Sequence, residues 1–148
     1  MRRSISTLLL LAVIATGAAA CDDNNTPTTP NIPNNPGAPL TFTETFTGAI
    51  NRNGAATSNF TAATLGTVTA TLTTVSDASI AVGISLGTWT GSACQVVIAN
   101  DNALQGAIIT GTVTSAASLC VRIYDVGKVA SSVNYTITVV RPSLTGTD

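Results

Sequence analysis

Residues 40–142 read as an all-β domain, an antiparallel β-sandwich or jelly roll of about eight strands. Three observations carry that expectation. Apolar residues alternate with threonine or serine at period two, 19 threonines fall between residues 40 and 142, and turn-forming clusters recur at short, fairly even intervals. In "TVTATLTT" (67–74), Val68, Ala70 and Leu72 alternate with Thr67, Thr69, Thr71 and Thr73. A helix would group positions 68, 71, 72 and 75 and set Thr71 in the apolar stripe, so the strand period fits better. No helix of useful length is expected in the domain.

The first strand is expected over 42–50 and ends at the turn "NRNG" (51–54). A second, 56–61, closes on Phe60 before "ATLG" (63–66). The third, 67–74, stops at "SDA" (76–78). The fourth, 79–87, has Ile80, Val82, Ile84 and Leu86 in phase. "GTWTGS" (87–92) then turns the chain, with Trp89 in the loop. A fifth strand over 94–99 runs into the turn-like "ANDN" (99–102). The sixth is placed at 107–114. The seventh, 118–125, sets Leu119, Val121 and Ile123 on one face before "DVGK" (125–128). The eighth, 133–140, alternates Val133, Tyr135, Ile137 and Val139. β-Branched and hydroxyl-bearing residues suit a pleated, half-buried surface.

Ahead of the domain, "MRRSISTLLLLAVIATGAAAC" has the charged, apolar and small-residue order of a secretory signal, placed at 1–20. Ala18-Ala19-Ala20-Cys21 resembles the lipobox of bacterial lipoproteins. That resemblance implies acylation of Cys21 as the first mature residue, with the membrane as a partner through the lipid. It also implies an extracytoplasmic position, in the periplasm or at the cell surface. The competing reading is an ordinary A-x-A cleavage site that leaves Cys21 a free thiol. Residues 21–39 form a Pro/Asn/Thr-rich linker. Residues 22–39 hold five prolines and no aromatic residue, so they bury too little apolar surface to offset the entropy of ordering. Extended as polyproline, 18 residues at roughly 3.1 Å each reach about 55 Å. Residues 143–148 are a C-terminal tail.

Cysteine parity supports the acylated reading. An odd cysteine in an exported chain needs its own account. Lipid on Cys21 leaves Cys94 and Cys120 as an even pair for a disulfide. The phase of the strands raises a difficulty. If Leu119, Val121 and Ile123 face the core, Cys120 points outward, whereas Cys94 is in phase with Val96 and Ile98, which read as buried. Either Cys94 lies in the preceding turn or a bulge shifts the register.

"FTGAI" (46–50), Phe60, "LGTVTATLT" (65–73), "CVRIYDVG" (120–127) and "NYTITVV" (134–140) together resemble bacterial pre-peptidase C-terminal domains. Those are small β-sandwiches appended to secreted hydrolases. The resemblance implies a sandwich with an extracytoplasmic accessory role, and it transfers no site residues.

The domain is poor in chemistry. Glu44, Asp77, Asp101 and Asp125 are matched by Arg52, Arg122, Lys128 and Arg141, so it is formally neutral and lacks a basic footprint for nucleic acid. The chain has no histidine, which excludes Ser–His and Cys–His nucleophiles and leaves too few ligands for zinc. No catalytic residue, resident metal or cofactor is expected. For ligand contact, Trp89 is the candidate aromatic platform for a glycan. Asn100, Asp101 and Asn102, joined by Asp125, are the candidate oxygen ligands for calcium. The reading is a non-catalytic, lipid-anchored module with an accessory, adhesive or structural role, its partner an envelope protein or glycan. The alternative is a carbohydrate- or calcium-binding module.

Overall fold

The computed structural model describes residues 40–144. These residues form eight strands: β1 (Thr41–Ile50), β2 (Ala55–Ala62), β3 (Gly66–Val75), β4 (Val82–Trp89), β5 (Cys94–Ala103), β6 (Ile108–Val113), β7 (Ala117–Tyr124) and β8 (Val133–Pro142). Among the described residues there is no helix, and so none long and apolar enough to cross a membrane. Each expected strand segment matches one observed strand. The signal, Cys21 and the linker lie outside the described residues.

The strands form two four-stranded antiparallel sheets, ordered β1-β8-β3-β6 and β2-β7-β4-β5. Only β4 and β5 follow one another within one sheet. Every other connection crosses between sheets, which is the jelly-roll way of distributing eight strands. Apolar positions of alternating parity meet between the layers. Val68, Ala70 and Leu72 of β3 and Ile137 and Val139 of β8 face Val82, Ile84 and Leu86 of β4 and Val121 and Ile123 of β7. All of these are buried. Each large side chain so buried contributes about 1.5–3 kcal/mol of transfer free energy.

Two local devices keep the alternation in register. Thr73 is an extra residue in β3 against β8, where Leu72 pairs with Ile137 but Thr74 pairs with Thr136. This bulge returns Val75 to the core opposite Tyr135. Ile80, expected inside the fourth strand, instead precedes it. The Asp77 carboxylate accepts the Ser79 backbone N–H at 3.0 Å and the Ser79 hydroxyl at 2.6 Å, and Ile80 N–H reaches Asp77 O at 3.1 Å. That turn delays β4 to Val82 while Ile80 packs half-buried on the core.

Phe42, Glu44 and Phe46 of β1 register with Arg141, Val139 and Ile137 of β8. Arg141 is buried, with its guanidinium 4.6 Å from the Phe42 ring centroid and 3.5 Å from the Glu44 carboxylate. A charged pair turned inward beside an edge strand discourages edge-to-edge association on that side.

Candidate functional site

The outer face of the β2-β7-β4-β5 sheet carries Cys94, Cys120, Trp89 and Asp101 among the residues singled out in the sequence. On β4, Gly83, Ser85 and Gly87 alternate with the core positions and therefore face outward, where Tyr124, Arg122 and Cys120 of β7 are their direct partners. Cys120 is fully buried there and bonded to Cys94, with their Cα atoms 5.8 Å apart. β5 and β7 flank β4 on opposite sides, so in a flat sheet they stand roughly 9.6 Å apart. β5 closes that gap by folding over β4 at Gly87. A Cβ on Gly87 would lie 2.7 Å from the Gln95 carbonyl carbon and closer still to its oxygen. Only glycine admits this approach.

A bulge resolves the phase difficulty. Leu86 pairs with Ile98, but Gly87 pairs with Val96, so Val97 is an extra residue in β5. The shift turns Cys94, opposite Trp89, onto the outer face that Cys120 occupies. The expected burial of Val96 and Ile98 is not found, because they are 48% and 39% exposed. β5 is an edge strand bulged away from the core, and its neighbourhood on the inner side stays open. Trp89 likewise lies not in a loop but at the end of β4, half-buried. The turn that follows is tighter than expected. Thr90 and Ala93 exchange three hydrogen bonds around Gly91, whose φ of 96° suits glycine.

Asn100, Asp101 and Asn102 are strand residues rather than a turn. A second bulge sets Asp101 and Asn102 against Gly83, between the pairs Val82–Ala103 and Ile84–Asn100. The Tyr124 ring covers Gly83, its hydroxyl donates to the Asp101 carboxylate, and the Arg122 guanidinium lies 5.5 Å from the ring centroid. Asn100 Oδ1 accepts the Asn102 N–H at 2.9 Å. Asp125 stands apart from these three. Its Oδ1 accepts Gly127, Lys128 and Val129 N–H at 2.8–2.9 Å, and its Oδ2 accepts Asn53 N–H at 2.8 Å. These bonds hold its carboxyl below the usual carboxylate range, the Asn53 and Val129 amides first. Asp125 therefore ties the β1–β2 turn to the β7–β8 loop, and its lone pairs face amides. Among the described residues no group of three acidic or cysteine side chains converges as a metal site.

Burial pushes the Tyr124 phenol up to about 12, helped by its hydrogen bond to Asp101 and the Asp101 charge, with Arg122 opposing. Burial also raises Tyr135. These are the only two tyrosines in the chain. A phenol whose folded pKa is raised contributes stability that is full below its unfolded value, about 10, and is lost as pH rises through the folded value. Spectrophotometric titration is therefore expected to show the Tyr124 phenol largely neutral at about pH 10 in the folded protein and the Tyr135 midpoint above the ordinary tyrosine value. Asp101→Asn should move the Tyr124 midpoint down. A midpoint at the free-tyrosine value for both rings would contradict this arrangement.

Ser85, flanked by Arg122 and Ala99, is fully buried, and its hydroxyl has no hydrogen-bond partner among the described residues. An unsatisfied buried hydroxyl costs free energy. Ser85→Ala is expected to raise stability by about 1 kcal/mol, read as a higher denaturant midpoint at unchanged slope.

Beside this face opens a cleft of about 240 Å³ between the two sheets, lined by Leu86, Val97, Ile98 and Leu119 of one sheet and by Val68, Gly111 and Val113 of the other. No charged side chain lines it. Sequence reasoning missed the cleft. Its signal was present in the run of apolar residues with a single charge, Asp101, between the two bridged cysteines.

No protein-family model matches the chain, and no curated protein matches it. Among solved structures, it is similar to the crystal structure of Yersinia pseudotuberculosis-derived mitogen. The identity is 17%, the match covers 73% of this chain and 91% of that one, and the TM-score is 0.50. At that identity the likeness concerns the fold alone.

Proposed function

We propose that this chain is a non-catalytic module, anchored by lipid on Cys21 and carried on its proline-rich linker, that displays a jelly-roll domain outside the cytoplasm in an accessory, adhesive or structural role. The lipobox-like Ala18-Ala19-Ala20-Cys21 ahead of a spacer of 18 residues carries the reading. The state of the domain's four carboxylates supports it. Glu44 meets Arg141, Asp77 holds Ser79, Asp101 accepts Tyr124 and Asp125 is filled by backbone amides. None is left as a second member of an acid–base pair in a shared cleft. The Cys94–Cys120 bridge suits an oxidising compartment, and the resemblance to pre-peptidase C-terminal domains points to the same accessory role.

Metabolic labelling of cells with a clickable fatty acid tests the reading. The wild-type chain is expected to carry label and to fractionate with membranes, and Cys21→Ser to lose both. An unlabelled wild-type chain, or label that survives Cys21→Ser, would contradict it.

A further inference from the structure

Five of the eight large hydrophobic residues exposed among the described residues fall on β5, β6 and the loop between them: Val96, Val97, Ile98, Leu104 and Ile108. Val97 is 78% exposed and Ile108 60%. Val97 and Ile98 line the open cleft, and Ile108 begins the edge strand β6. Monomeric surfaces scatter such residues singly, and a cluster marks an interaction site.

The form of the edge narrows the occupant. β6 ends its sheet, pairs with β3 through Gly66–Thr71 without a register shift, and carries no charge in "IITGTV". The neighbouring edge β5 is blunted by two bulges, a known protection against strand addition. β6 has no such protection. A lipid surface fits poorly, because hydrocarbon would leave the outward N–H and C=O groups of β6 without partners. The chain's own linker fits poorly as well. Its prolines recur at 27, 30, 33, 36 and 39, so consecutive ones have opposite parity. Any six residues between 27 and 39 therefore hold a proline on the pairing side.

A second copy of β6 fits. A two-fold axis through an antiparallel pair must pass between a residue and its own copy, which keeps inner faces on one side. Centred on Gly111, such a pair sets Ile109 against Val113 and Thr110 against Thr112. These are β-branched and threonine cross-strand pairs of the favourable kind. A Cβ on Gly111 would meet nothing within 4 Å, so the inner face at the centre has room for a side chain from each copy. The two clefts then adjoin across the axis. Between Cys94 and Cys120 the only charge is Asp101, so the surface offers a charged partner little purchase and a second copy no charge on β6 itself to repel it.

We propose that β6 is a homodimerisation edge, two copies pairing antiparallel about Gly111 into one eight-stranded sheet. The test uses the full mature chain in detergent. Gly111→Cys sets two thiols directly opposite across the axis, with Cα atoms about 4.5–5.5 Å apart, inside the range that a disulfide spans. Under mild oxidation it is expected to give a covalent dimer, on a non-reducing gel, at several-fold the yield of Thr47→Cys on the opposite edge β1. The wild-type chain treated alike sets the baseline. Sedimentation should show a wild-type dimer that Ile108→Lys shifts to monomer, a change at an exposed position that leaves the core intact. A dimer yield for Gly111→Cys no higher than for Thr47→Cys would overturn the proposal. So would a monomeric wild-type chain, or adducts between Gly111→Cys and other envelope proteins in place of a dimer.

Discussion

The double variant Cys94→Ala, Cys120→Ala is expected to lose about 3.5 kcal/mol of stability, the chain-entropy value for a bridge at a sequence separation of 26. Against a total of about 5–15 kcal/mol for a domain of this size, that is a large share. The structure adds a second consequence. The bridge tethers the end of β5 over β4, so its removal frees the bulged edge before the rest of the sheet. Amide exchange along β5 is expected to quicken more than along β3 or β8, which lie in the other sheet. Chemical denaturation and exchange of the reduced, alkylated wild-type protein should show the same two effects. Equal protection of β5 in both states would mean that the strand holds its fold-over without the bridge.

Gly87→Ala is the second change expected to be severe, at about 3 kcal/mol, the upper end of what overpacking usually costs. The obstructing group is the Gln95 carbonyl, part of the backbone of β5, and backbone cannot swing aside as a side chain does. β5 must lift from β4, and the Cys94–Cys120 bridge, fixed at Cys120 in the buried outer face, resists that movement. Gly83→Ala makes a useful contrast. There the added methyl meets the Tyr124 ring, a side chain that can rotate away, so the loss should be smaller and the Tyr124–Asp101 bond the part affected. Thermal melts of the two variants rank them directly. A milder effect for Gly87→Ala than for Gly83→Ala would contradict the folded-over edge.

The sheet architecture was legible because threonine and apolar residues mark opposite faces of a strand. Val68, Ala70 and Leu72 in β3 and Tyr135, Ile137 and Val139 in β8 announce their burial by parity alone, and both sets are buried. The misreadings gather on β5. Asn100, Asp101 and Asn102 have turn-forming side chains, and a bulge uses the same residue types and backbone freedom as a turn, so composition cannot separate the two. Whether a strand lies at an edge depends on long-range order, and for that reason Val96 and Ile98 read as core. The choice between a turn and a bulge at Cys94 was open in the sequence. It is decided by Gly87, whose missing side chain lets β5 cross over, a cross-strand requirement that no local pattern reports. Asp125 shows the same limit: its acidic oxygens satisfy backbone amides from two loops, one of them 72 residues away.

Counting reactive cysteines in the mature protein, by alkylation under denaturing conditions before and after reduction with intact-mass readout, tests the central claim of an anchored, bridged domain most directly. The expected result is a chain that begins at an acylated Cys21, with no alkylated cysteine before reduction and two after it. An alkylated, unacylated Cys21 would contradict the anchor, and alkylation of Cys94 or Cys120 without reductant would contradict the bridge.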